Sequence, residues 1–221
     1  VSETIHILGL ILAGGLARRF GGGEGQAVDK ARLTLAGRPL LAHVRDRLTP
    51  QVAALALNAN GDPARYRDQG LPILADDVPG HPGPLAGALA GLDYASAQGG
   101  YTHVLSVPAD CPFLPRDLAA RLVAAAAPGG VVTATSAGQR HPVVALWPVA
   151  LAAPLRRALV EEGLRKVGAF LARQPLAEVD FPALPVDPFF NVNTPDDLIT
   201  AEALSKGLSG VAPGAPGRGM P

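Results

Sequence analysis

Short apolar runs separated by segments with helical spacing constrain this chain more than any other feature, because that alternation builds a layered sheet. Ile7–Leu12 reads as a first strand that breaks into Gly14-Gly15. Residues 38–48 place Leu40, Leu41, Val44 and Leu48 at helical spacing, with Pro39 where a first turn tolerates it. A strand over 52–57 ends at Asn58-Ala59-Asn60-Gly61, a short helix follows over 63–68, and a strand over 71–75 is closed by Asp76-Asp77. Residues 85–97 form a small-residue helix in which Gly87 and Gly91 allow close packing. The strand over 102–107 stops at Pro108-Ala109-Asp110-Cys111-Pro112. Further on, the pattern predicts a helix over 114–126, strands over 131–135 and 143–146, and helices over 149–159 and 165–171.

Such a rhythm implies right-handed βαβ crossovers. The expected class is α/β: a three-layer, doubly wound, mostly parallel sheet with helices on both faces. Ligands of such sheets bind beyond the carboxyl ends of the strands. The glycine loop, Asn58, Asp76 and Asp110 each stand where a strand pattern ends, so four separate segments point to one edge.

Gly14-Gly15 and the glycines that follow let backbone amides approach phosphate oxygens, and Arg18, Arg19 and Lys30 add positive charge. The same residues also suit an ordinary solvated turn. Neither G-x-x-x-x-G-K-[ST] nor a G-x-G-x-x-G opening a helix is present, so a nucleotide site here must be of another design.

Nineteen basic and nineteen acidic side chains cancel, which favours neither nucleic acid nor an anionic membrane as partner. No apolar stretch approaches the ~20 residues that span a bilayer, and residues 1–12 lack the pattern of a signal peptide, so a cytoplasmic protein is expected. The single cysteine, Cys111, excludes an internal disulfide framework and reads as a small core residue. One domain is expected over residues 1–204, with a nucleotide half at about 5–112 and a second-substrate half at about 113–204. Residues 205–221, rich in Gly and Pro, are expected to form a disordered tail.

Asp110, between two prolines, either ligates magnesium, which takes one or two carboxylates and fills its shell with water and phosphate oxygens, or caps a helix starting near Pro115. A cationic loop with magnesium on a triphosphate suits attack on the α-phosphorus with pyrophosphate leaving. No His or Glu ends a strand at that edge; His6, His43, His81 and His103 read as packing or surface residues. An already ionised nucleophile, a phosphate monoester, needs no base, and catalysis is then positioning plus charge neutralisation.

Leu12-Ala13-Gly14-Gly15 with Arg19, Gly21 and Lys30, then Asn58-Ala59-Asn60, Asp76, Pro82-Gly83-Pro84-Leu85-Ala86-Gly87, Pro108-Ala109-Asp110-Cys111-Pro112, His141-Pro142 and Asn191-Val192-Asn193-Thr194-Pro195 resemble the molybdenum cofactor guanylyltransferases. The opening motif is shared with many nucleotidylyltransferases; the later segments narrow the match. The resemblance implies transfer of GMP from magnesium (Mg2+) GTP to the terminal phosphate of molybdenum-molybdopterin. It implies GTP binding by Leu12, Ala13, Gly14, Gly15, Lys30, Asn58, Asp76 and Asp110, with magnesium on Asp110 and Arg19 beside the phosphates. Arg19, Lys30 and Asp110 would then be catalytic. Arg165, Asn191 and Asn193 would face the pterin, although Asn193 equally suits capping a last helix near Pro195. Molybdoenzymes, their chaperones or molybdenum-insertion proteins are the partners such a pathway implies.

One departure stands out: Gly23-Glu24-Gly25-Gln26-Ala27 is inserted before Val28-Asp29-Lys30 relative to the family's spacing. The rival readings are a cytidylyltransferase acting on molybdopterin, a sugar-phosphate nucleotidylyltransferase, or a nucleotide-binding cofactor chaperone without turnover.

Overall fold

The computed structural model describes residues 5–14, 16–17, 28–78, 80 and 83–210. Its strands and helices, in chain order, are β1 (Ile7–Leu12), β2 (Leu16–Ala17), β3 (Val28–Asp29), β4 (Thr34–Leu35), β5 (Arg38–Pro39), α1 (Leu40–Leu48), β6 (Ala54–Asn58), β7 (Ile73–Leu74), α2 (Pro84–Gln98) and β8 (His103–Pro108). They continue with α3 (Leu118–Ala124), β9 (Val131–Ser136), β10 (Gln139–Pro148), α4 (Ala152–Val160), α5 (Val167–Leu171), β11 (Leu176–Phe181) and α6 (Pro195–Gly210).

Seven strands form one sheet in the order β11-β9-β10-β8-β1-β6-β7. Strand β1 runs parallel to β6 and β8, β6 to β7 and β9 to β11. Only β10, within this sheet, is antiparallel to its neighbours β8 and β9. The expected class therefore holds, with one reversed strand in its second half.

The apolar runs are explained by burial on both faces. From β1, Ile7 and Ile11 join α1 and α3 through Leu41, Val44, Leu48, Leu118 and Leu122. Leu8 and Leu10 point the other way, into α2, α4 and α5 through Leu89, Leu92, Leu155 and Phe170. Gly9 belongs to the α1 side, where a Cβ would lie 3.0 Å from Val52 Cγ2 and 3.2 Å from Leu48 Cδ2.

Several boundaries differ from the expectation, each for a local reason. Arg38-Pro39 pairs with Thr34-Leu35 across Ala36 and Gly37, both at positive φ, so the helix starts only at Leu40. The helix expected from Leu114 begins at Leu118, and Leu114 is buried ahead of it. Strand β11 was not expected, although Ala177, Val179 and Phe181 alternate with the exposed Glu178 and Asp180 and pack on the core. Residues 205–210, expected as the start of a tail, continue α6. Leu198, Ala201 and Leu204 anchor that helix against Leu35, Leu40 and Val192, and extending an established helix costs little. Residues 211–221 lie outside the described part.

Candidate active site

The carboxyl ends of β1, β6 and β8 and the chain after β7 enclose a cavity of about 280 Å³. Gly14, Asn58, Asp76 and Asp110, from the four segments that the alternation sent to one edge, all line it. Leu12, Ala13, Lys30 and Asn191 line it too. Gly15, Arg19 and the inserted residues 23–27 lie outside the described part.

Lys30 owes its position to Asp29. One Asp29 carboxylate oxygen accepts the Ala31 N–H at 3.1 Å and so caps the 3-10 turn Lys30–Arg32. The other accepts from the Tyr66 hydroxyl and from Arg65, each at 2.6 Å. Burial and the Asp29 carboxylate together push the Tyr66 hydroxyl well above its usual range. From this anchor the Lys30 Nζ reaches Asn193 Oδ1 at 2.5 Å and Asp110 Oδ2 at 3.6 Å.

Asp110 does not cap a helix. Asp117 precedes α3, and the Asp110 carbonyl accepts the Val192 N–H at 3.0 Å. Burial pushes the Asp110 carboxyl upward, and the Lys30 ammonium opposes it. Its Oδ1 is buried with no hydrogen-bond partner among the described residues. A buried carboxylate oxygen without a donor, beside a lysine in a cleft, fits a cation, since leaving it unpaired is costly. No group of three or more His, Cys, Asp or Glu suited to a metal occurs among the described residues. A single carboxylate of this kind is the donor set that a hard divalent cation takes when phosphate oxygens and water fill the rest of its shell.

Asn193 does not cap α6 either; Thr194 does. Thr194 Oγ1 accepts the Asp197 N–H at 3.2 Å, and Asp197 Oδ2 accepts the N–H groups of Asn193 (2.9 Å) and Thr194 (2.8 Å). This reciprocal cap leaves the Asn193 side chain for Lys30. Burial works upward on the Asp197 carboxyl, but those donors outweigh it and hold it below the usual value. Asn191 Oδ1 accepts the Cys111 thiol at 2.7 Å. Cys111, fully buried as a core residue should be, thus also ties the Asn191 loop to the end of β8. Arg165 is exposed on the segment before α5 and does not line the cavity.

At the opposite end, Asn58 Nδ2 donates to Asp76 Oδ1 at 2.9 Å and to the Leu74 carbonyl at 3.0 Å. Asn60 Nδ2 donates to Asp76 Oδ2 at 2.7 Å, and the Asp76 N–H donates to Asn60 Oδ1 at 2.8 Å. A Cβ on Gly87 would collide with Asn58 Oδ1 and come within 2.8 Å of Leu12 Cδ2. The glycine of the Pro-Gly-Pro-Leu-Ala-Gly segment is thus needed for the pose of Asn58.

The residue reading missed the device that shapes the far wall. The register of β10 shifts between His141 and Ala145, and Val143 within that irregularity lines the cavity. Ser106, buried in the middle of β8, donates to the Val143 carbonyl at 2.6 Å and accepts from Trp147 Nε1 at 2.8 Å. A lone hydroxyl inside the apolar run of β8 was the available signal. Asn60 had one as well, standing two residues beyond Asn58.

A sheet of this order with a cleft at its carboxyl edge has the Rossmann-like nucleotidyltransferase architecture. A solved structure from Archaeoglobus fulgidus, described as molybdopterin-guanine dinucleotide biosynthesis protein A, superposes with a TM-score of 0.69 at 22% identity, covering 90% of this chain and 99% of that one. The chain belongs to the MobA-like NTP transferase domain family, whose pattern matches residues 9–177. It is 56% identical over 207 residues to the molybdenum cofactor guanylyltransferase of Bradyrhizobium sp. (strain ORS 278), covering 92% of this chain and 95% of that protein. The protein of the same description from Rhodopseudomonas palustris (strain BisB5) is 54% identical over 199 residues, covering 89% and 92%. No helix among the described residues is long and apolar enough to cross a membrane.

Proposed function

We propose that this protein transfers GMP from GTP to the terminal phosphate of molybdenum-molybdopterin. A phosphate oxygen of the acceptor attacks the α-phosphorus, the bond from that phosphorus to the bridging oxygen breaks, and pyrophosphate leaves with its electron pair. The product is the guanine dinucleotide form of the molybdenum cofactor. Relatives at 56% and 54% identity are described as molybdenum cofactor guanylyltransferases, which supports this reading. The observation that carries the reading to these residues is the Lys30–Asp110 pair, 3.6 Å apart, with the buried Asp110 Oδ1 left without a donor.

In this reading the backbone of Leu12, Ala13, Gly14 and Gly15 meets the nucleotide, with Asn58 and Asp76 at the base. Lys30 neutralises charge that grows on the phosphate oxygens, and Arg19 adds to it. Asp110 would hold magnesium, which when bound supplies further neutralisation of the triphosphate. Among the described residues no histidine or glutamate lines the cavity, in keeping with a nucleophile that arrives ionised. Asn191, at the mouth, faces the acceptor. Asn193 acts through Lys30. The reaction is placed in the cytoplasm, where GTP is at hand, and molybdoenzymes, their chaperones or molybdenum-insertion proteins receive the product.

Titration calorimetry with GTP, CTP, ATP and UTP, each with magnesium, tests this directly when repeated on Asp110→Ala. Selective GTP binding that weakens in the variant supports the proposal. Preference for CTP changes the product, and absence of nucleotide binding overturns the enzyme.

A further inference from the structure

We infer that Asn60 is a specificity-determining positioning residue, whose side-chain amide holds the Asp76 carboxylate in the orientation that accepts the two-donor edge of guanine. This deepens the guanylyl-transfer reading and rests on it.

Asn60 spends both halves of its amide on one residue. Its Nδ2 donates to Asp76 Oδ2 at 2.7 Å, and its Oδ1 accepts the Asp76 N–H at 2.8 Å. The side chain is exposed, so water would satisfy it equally well and packing does not require the contact. The pair also extends the sheet. Backbone pairing of β6 with β7 continues to the Ala59 N–H on the Leu74 carbonyl at 3.0 Å, and the Asn60 amide then takes the place of the next rung.

Asn58 holds the other oxygen, Oδ1, at 2.9 Å. Each carboxylate oxygen therefore accepts one amide proton from a fixed direction. An ionised carboxylate offers about four acceptor positions, so acceptor capacity remains on both oxygens of a side chain that lines the cavity. What such a surface offers a base is two adjacent acceptors. Guanine presents adjacent N1–H and N2–H donors on its Watson–Crick edge. Adenine and cytosine each set one amino donor beside a ring acceptor, and uracil sets one N–H between two carbonyls. Reading both guanine donors needs the carboxylate plane held still, and with Asn58 alone the group keeps a hinge about a single bonded oxygen.

Inosine triphosphate, which lacks only the 2-amino group, is the probe. Kd and KM for GTP and inosine triphosphate are measured on the full chain for wild type, Asn60→Ala and Asn60→Asp, with Asp76→Asn as reference and a melting curve for each. The wild type is expected to prefer GTP by about tenfold, the worth of one charge-assisted hydrogen bond. Asn60→Ala should bring that ratio close to the one given by Asp76→Asn, with the loss on KM more than on kcat. Asn60→Asp keeps an acceptor for the Asp76 N–H but sets carboxylate against carboxylate, and should lose at least as much. A wild type that selects GTP over CTP but not over inosine triphosphate leaves guanylyl transfer standing and overturns this inference. So does an unchanged ratio in both Asn60 variants. A wild type without any preference for GTP over CTP removes the underlying reading instead.

Discussion

The Nζ of Lys30 donates to Oδ1 of Asn193 at 2.5 Å, joining residues 163 positions apart in the chain. Asn193 immediately precedes the Thr194 cap of α6, so the lysine that lines the cleft is steadied by the last helix. Lys30 is held further by its ion pair with Asp110 and by the Asp29 cap that directly precedes it in the turn.

Asn193→Ala should therefore impair catalysis without unfolding α6. Positioning effects of this kind suggest a fall of about tenfold in kcat/KM, with unfolding free energy within about 0.5 kcal/mol of wild type. Thr194→Ala should do the reverse, costing about 1 kcal/mol of stability through the lost cap. Steady-state kinetics and urea denaturation on the two variants separate these outcomes; equal damage to stability would contradict the division of labour.

Lys30→Met and Asp110→Asn should each lower GMP transfer by about 10²- to 10³-fold, the usual cost of removing an electrostatic contact to developing charge. Their circular dichroism should match wild type, because both side chains sit at the cleft rather than within the two apolar layers. Pyrophosphate release reports the loss.

Gly87→Ala sets two effects against each other. Alanine gains up to about 1 kcal/mol in helix propensity, but its Cβ meets Asn58 Oδ1 and Leu12 Cδ2, and forced overpacking costs about 1–3 kcal/mol. We expect a net loss of stability together with at least a tenfold weaker affinity for GTP, measured by denaturation and calorimetry. A variant more stable than wild type with unchanged GTP affinity would show that Asn58 repacks freely.

The Ser136–His141–Asp187 cluster predicts a pH dependence. Ser136 donates its one proton to Asp187 Oδ1 at 2.8 Å, so the contact at 2.7 Å between Ser136 Oγ and His141 Nε2 requires the proton on that ring nitrogen. Phe189 packs on the ring with centroids 4.7 Å apart. Burial pulls the His141 pKa below its ordinary 6.5, and Asp187 opposes that. With the folded value depressed, the unfolded chain binds the proton first. The associated stability is complete above pH 6.5 and is lost as pH falls from there through the folded pKa. Asp187→Asn removes the opposing charge and should move the imidazole titration lower still, which the ring proton shifts report by NMR. A rise instead of a fall would refute the assignment.

Much of the fold was legible because burial on two faces leaves a plain mark. Strands β1, β6 and β8 are mostly apolar, and each ends on a residue that lines the cleft. The α6 boundary was not legible, because tertiary contact with Leu35 and Leu40 carries the helix past its small residues. Strand β11 was overlooked at the sheet edge, although its one buried face is marked by Ala177, Val179 and Phe181 alternating with Glu178 and Asp180.

What the sequence by itself determined is the alternation, the edge at which Gly14, Asn58, Asp76 and Asp110 meet, and the family, because all three depend on local pattern and short motifs. Which side chains touch was decided only by the tertiary structure. Asp29 anchors on Tyr66, Lys30 bridges to Asn193 and Asp110, Ser106 pins the irregular stretch of β10 at Val143, and Asn60 locks onto Asp76. The physical reason is range: periodicity arises from neighbours within a few residues, whereas a hydrogen bond between residues far apart in sequence exists only once the chain has closed around it.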